Sequence, residues 1–210
     1  MARRSEHSQE EIKQMVLQAA EDIVQEQGYS ALKVRKIAAD IGYTVGSIYM
    51  VFSNMNDLNM HLKARTWQKL LLYLEKDFEP YSNDPVTLAS IERLTIAYLD
   101  FTMLNKGLWR MLFEHQLPLG EAIPDWYLQE NKRVLEFFYP VFMKLNTTHS
   151  DVHVRQAVQT LMKSVQGVCM QLVIQPESRE NIKIAKADVV LLVDCFMRGW
   201  INLEKSNRII

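Results

Sequence analysis

From Val34 to Phe52 the chain reads V-R-K-I-A-A-D-I-G-Y-T-V-G-S-I-Y-M-V-F, and this stretch restricts the N-terminal fold more than any other feature. Ile37, Ala38 and Ile41 recur at helical spacing; Gly42 then interrupts, and Thr44 offers an N-cap for a short helix reaching about Phe52. Gly42 permits the left-handed backbone that a tight turn between helices needs. Ala38 is small enough for the two helices to cross closely, and Ile37, Ile41, Ile48 and Phe52 can close a shared core. The residues left over, Thr44, Val45, Gly46, Ser47 and Tyr49, are small or hydroxylated. Such side chains suit close approach to a DNA groove and hydrogen bonds to phosphate.

Helical signals continue on both sides. Ser8 and Glu11 form an S-x-x-E capping box ahead of Ile12, Val16, Ala20 and Ile23, and Gly28 stops that helix. Ser53 or Asn54 caps a fourth helix carrying Leu58, Leu62, Trp67, Leu70 and Leu74. Asp84 as N-cap with Pro85 at the first helical position opens a fifth, with Leu88, Ile91, Leu94, Tyr98 and Phe101 on its apolar face. A short piece follows around Leu108 to Phe113, then a loop marked by Pro118, Gly120 and Pro124, then a helix from about Asp125 to Lys144 that Pro140 should kink. Two regular seams end the chain: Val154, Val158, Leu161, Val165, Val168 and Leu172, then Val189, Val193, Phe196, Trp200 and Leu203. Steps of four and three favour side-by-side helix packing.

The fold class expected is all-α, with an N-terminal three-helix helix-turn-helix domain (1–53) followed by an antiparallel helical bundle of about six helices (54–210). With hydrophobic residues at 48%, the chain has enough apolar material for a real core. No apolar run is long enough to span a bilayer, and the N-terminus lacks a signal-peptide pattern, so a cytoplasmic protein with no membrane partner is expected. Cys169 and Cys195 lie far apart in apolar patterns and read as inert core thiols. His149 and His153 stand four apart, but the loop-like Asn146-Thr147-Thr148 before them favours a surface pair over a metal site. No phosphate-binding glycine loop and no nucleophile grouping is evident, so neither an enzyme nor a cofactor is expected.

The spacing I-A-x-x-x-G-x-x-x-G-S-I-Y-x-x-F resembles the DNA-binding signature of the TetR family, over roughly Gln9 to Leu62. The resemblance implies a ligand-responsive regulator, most simply a repressor. Such a protein binds palindromic double-stranded operator DNA as a homodimer and leaves it when a small hydrophobic effector binds. The DNA-binding residues it implies are Arg35, Lys36, Thr44, Val45, Gly46, Ser47 and Tyr49; Arg3 and Arg4 are read as either contacts to phosphates or a minor groove or a solvated tail. The aromatic-rich middle supplies candidate effector contacts: Tyr98, Met103, Trp109, Phe113, Trp126 and Phe137, with Gln166 as a polar group in an apolar helix. Leu161, Val165, Val168, Val193, Phe196 and Trp200 are expected to pair across a two-fold axis into a four-helix bundle.

Two positions depart from the family pattern. Lys33 stands where a capping Thr is usual, and Met55 where a phosphate-binding Lys is common; Lys36 or Lys63 is the candidate replacement for that charge. Met1 to Arg65 also carries eight basic and eight acidic residues, so DNA affinity must come from the placement of charge. These features leave an alternative: a helical small-molecule-binding dimer that has lost specific DNA binding.

Overall fold

The computed structural model describes residues 7–145 and 149–202. Among these it is helical, with no strand: α1 (Gln9–Gln27), α2 (Val34–Asp40), α3 (Val45–Tyr49), α4 (Met55–Phe78), α5 (Leu88–Leu104), α6 (Lys106–Glu114), α7 (Asp125–Leu145), α8 (Asp151–Ile174) and α9 (Arg179–Asn202). Arg3, Arg4 and Leu203 lie outside the described residues.

Local chemistry sets most of the helix ends. Ser8 Oγ accepts from the Glu11 amide at 3.2 Å while the Glu11 carboxylate accepts from the Ser8 amide at 2.7 Å, which is the expected capping box. Gly28, at φ 80°, ends α1. The start of α5 differs from the expectation at Asp84-Pro85. The helix begins at Leu88, where the Ser90 hydroxyl accepts from the Thr87 amide at 3.1 Å and closes the first turn. No helix among the described residues is long and apolar enough to cross a membrane.

The chain forms two compact units. The first comprises Met1–Trp67 with Asn105–Leu128; the second comprises Gln68–Leu104 with Gln129–Ile210. In the first, α6 packs on α1, and Leu108 and Met111 join Val16, Ala20, Val24, Ile37, Ile48, Phe52, Leu58 and Leu62 in a single core. The N-terminal helices therefore share their core with a segment some eighty residues downstream, which local periodicity does not reveal.

In the second unit α5, α8 and α9 pack on one another. Their inner faces carry Ile91, Leu94, Tyr98, Val158, Leu161, Val165, Val189 and Val193. The seams read from the sequence are thus filled within one chain. Leu161, Val165 and Val193 are fully buried and Trp200 is buried, while Val168 and Phe196 are half-buried. Side chains already enclosed within one chain have little surface left for a partner. What α9 leaves exposed is a different set: Ile184, Val190, Leu191 and Ile201.

Candidate nucleic-acid interface

The turn between α2 and α3 is built from backbone hydrogen bonds. The Tyr43 amide donates to Ala38 O at 2.9 Å and the Gly42 amide to Ala39 O at 3.2 Å, a six-to-one and five-to-two pair with Gly42 at φ 72°. This is the Schellman arrangement, which needs the left-handed residue that glycine supplies. Thr44 then caps α3: its Oγ1 accepts from the Ser47 amide at 3.2 Å and lies 3.0 Å from Ser47 Oγ. Ile48 and Phe52 point into the core beside Ile37 and Ala38.

That inward pair fixes what faces outward. Thr44, Gly46 and Tyr49 are exposed, with Tyr49 at 44%, and Val45 and Ser47 are half-buried. Arg35 is exposed on α2, whereas Lys36 is half-buried and bonds the Gln27 side-chain oxygen. A Cβ built on Gly46 would meet only Thr44 Oγ1, at 3.6 Å, an ordinary contact. Nothing inside the chain requires glycine there, so its bareness matters only to something that approaches from outside.

The two departures have structural counterparts. Lys33 begins α2 with no side-chain cap. At α4, Asn54 Oδ1 accepts from the Asp57 amide at 2.9 Å, and the Asp57 carboxylate accepts from the Ser53 amide and hydroxyl at 2.8 and 2.9 Å. A carboxylate thus occupies the α4 N-terminus, and Met55 packs partly against the core. Lys63 is no replacement for a phosphate-binding lysine. It is buried, and its ammonium donates to His115 O at 3.1 Å. The sequence offers Lys63 as an available charge because its partner lies 52 residues away.

The candidate effector residues fall into both units. Trp109 is fully buried in the first, its ring 4.8 Å from that of Phe113; Trp126 is partly exposed, 4.4 Å from the His61 ring. In the second, Tyr98 is fully buried, Phe137 meets Phe78 and Phe138 edge-on, and Met103 and Gln166 are half-buried. Cys169 is buried, and desolvation pushes its thiol up to about 12. Cys195 is exposed, contrary to the core position expected, because it lies on the outer side of α9. His149 stacks on Trp200 at 4.7 Å and lies 3.1 Å from Trp200 O. Among the described residues no group of three His, Cys, Asp or Glu side chains could hold a metal.

Known proteins fit this geometry. Residues 16–59 match the family model of the bacterial regulatory proteins, tetR family. No curated protein matches the sequence. A structure from Rhodococcus sp. RHA1, described as a protein with unknown function, superposes with a TM-score of 0.70 at 15% identity, over 95% of this chain and 98% of that one. A TetR transcription regulator from Haloarcula marismortui ATCC 43049 gives 0.67 at 19% identity, over 89% and 98%. The multidrug binding protein EbrR, complexed with imidazole, gives 0.55 at 17% identity, over 86% and 93%. Residues 16–59, which hold this helix-turn-helix, are thus similar to the tetR family of bacterial regulatory proteins, on a chain whose fold is that of solved TetR-family regulators.

Proposed function

We propose that the chain is a ligand-responsive transcriptional regulator, a repressor that binds palindromic operator DNA as a homodimer and leaves it when a small, largely apolar effector binds. The observation that carries this reading is the outer side of α3. Thr44, Gly46 and Tyr49 are presented to solvent by a turn and cap that are fully formed, and Gly46 has no internal reason to be glycine. The aromatic clusters in both units and the likeness to a multidrug binding protein support a small-molecule effector. The first test is an electrophoretic shift with random-sequence duplex at low salt, where binding is expected and weakens steeply as salt rises.

Two substitutions assign roles within the interface. Tyr49→Phe removes a phenol placed to reach a phosphate. A hydrogen bond to a charged group contributes about 1.5–3 kcal/mol, so affinity should fall roughly tenfold or more, equally for all sequences. A loss confined to one operator base would reassign Tyr49 to base reading. Gly46→Ala should leave the melting temperature unchanged or slightly raised, since alanine is the better helix former by up to about 1 kcal/mol, yet weaken DNA binding. Equal DNA affinity in this variant would remove Gly46 from the interface.

One observation favours a second reading, a small-molecule-binding dimer without specific DNA binding. The cationic contacts at the edge of the motif are weak: Asp57 sits at the α4 N-terminus and Lys63 is inside. Failure to shift any duplex at low salt, with the protein folded and dimeric, would select it.

A further inference from the structure

Within the first unit, one stripe of α4 is polar where a core-facing stripe is ordinarily apolar. Asn56, Asn59 and Lys63 follow at steps of three and four. Lys63 is 8% exposed. Its ammonium bonds the neutral carbonyl of His115 and stands 5.5 Å from the centre of the Tyr127 ring; no carboxylate among the described residues pairs with it. Burial pushes the Lys63 ammonium below the usual lysine range.

Its neighbours are equally incomplete. His115 is 4% exposed, and desolvation, reinforced by Lys63, holds its ring down to about 4, so the imidazole is neutral at pH 7. Nε2 lies 3.3 Å from Asn56 Oδ1, an acceptor, so Nε2 carries the proton and Nδ1 presents a lone pair. That Nδ1 is buried with no partner. Asn59, 3% exposed, donates from Nδ2 to the Tyr29 hydroxyl at 3.2 Å, and its Oδ1 is also buried with no partner. The Tyr29 ring meets the His115 ring edge-on at 5.9 Å, which ties the groups into one cluster. An unpaired buried cation and unsatisfied buried acceptors are each unfavourable, and folds retain such groups where something complements them.

We propose that Lys63, His115 and Asn59 form the receptor for a small hydroxylated organic acid, its carboxylate on the Lys63 ammonium and its hydroxyl donating to His115 Nδ1 or Asn59 Oδ1. Tyr29 and Tyr127 supply aromatic surface for its apolar body. This rests on the reading that a small effector binds the chain, and it names that effector's chemistry. The complement is specific: one cation calls for one anionic group, and two acceptors call for a donor on the same molecule.

The test uses the full chain, titrated calorimetrically and by thermal shift with 4-hydroxybenzoate, its neutral amide 4-hydroxybenzamide, and benzoate. The acid is expected to bind and raise the melting temperature, the amide to bind at least tenfold more weakly, and benzoate to fall between them. Lys63→Met should abolish the preference for acid over amide. The variant itself should be as stable as the parent or more so, since it replaces an unpaired charge by an apolar chain of similar length. Equal binding of acid and amide to the parent protein, or an undiminished preference in Lys63→Met, overturns the assignment. So does the absence of binding by any of the three probes, which would mean that water serves these groups. None of these readouts involves DNA. Acid binding without DNA release would keep this site and remove induction; release by another ligand would do the reverse.

Discussion

Gly107→Ala is expected to lower the melting temperature by about 10 °C and to weaken DNA binding with it. The added Cβ would lie 2.3 Å from Val24 O and 3.0 Å from Gln25 Cα, both backbone atoms of α1. No rotamer change can relieve that contact, so α1 and α6 must move apart. Overpacking of this kind costs about 1–3 kcal/mol, and in a unit of roughly ninety residues each kcal/mol shifts the midpoint by about 4–8 °C. The effect reaches DNA because α1 shares one core with Ile37 and Ile48, which hold α2 and α3. Differential scanning calorimetry and binding to a fixed duplex read the two consequences. Gly46→Ala is the counterpart, where the new methyl group meets only an ordinary contact with Thr44 Oγ1. A Gly107→Ala protein with an unchanged midpoint would mean that the helices are not packed this closely.

Leu191→Glu should convert the protein to monomers and reduce operator affinity by about 100-fold or more. Leu191 is 63% exposed, so a charge there leaves the core intact; Val165→Glu or Val193→Glu would instead bury a carboxylate and unfold the chain. Ile184 and Leu191 lie seven residues apart on one side of α9, and an isologous pairing places such a stripe against its own copy. A dimer engages two half-sites at once, and losing the second engagement removes an avidity gain of about 10²–10⁴. Sedimentation of the variant and of the parent, beside a titration on one operator, measures both. A folded monomer with parental affinity would show that the chain reads DNA alone.

How much was legible depends on where each partner lies in the chain. Ser8 with Glu11, Thr44 with Ser47, and Gly42 with its own and the Tyr43 amide are local hydrogen-bonding patterns, and the helix ends they set are readable from the residues. The α5 start was misplaced because Asp84-Pro85 has the expected cap chemistry, but Ser90 and Thr87 close a competing turn further on. Among the described seam residues of α8 and α9 all but Val168 and Phe196 are buried, yet periodicity reports only that a face is covered. Whether α5 or a second copy covers it is a tertiary fact, and here the cover comes from within the chain. The Lys63 cluster was out of reach for the same reason. The sequence offers Lys63 only as a candidate phosphate contact, and His115 and Tyr29, which meet Lys63, Asn59 and Asn56, come from distant segments.

Selecting bound duplexes from a random pool and sequencing the survivors tests the proposal that this protein reads operator sequence in duplex DNA as a two-fold dimer. An inverted repeat should emerge, with half-sites about one helical turn apart as two symmetry-related recognition helices require, and it should bind at least 10³-fold more tightly than random duplex. A pool that stays random after repeated selection, or a single unrepeated site bound with unit stoichiometry, would contradict it.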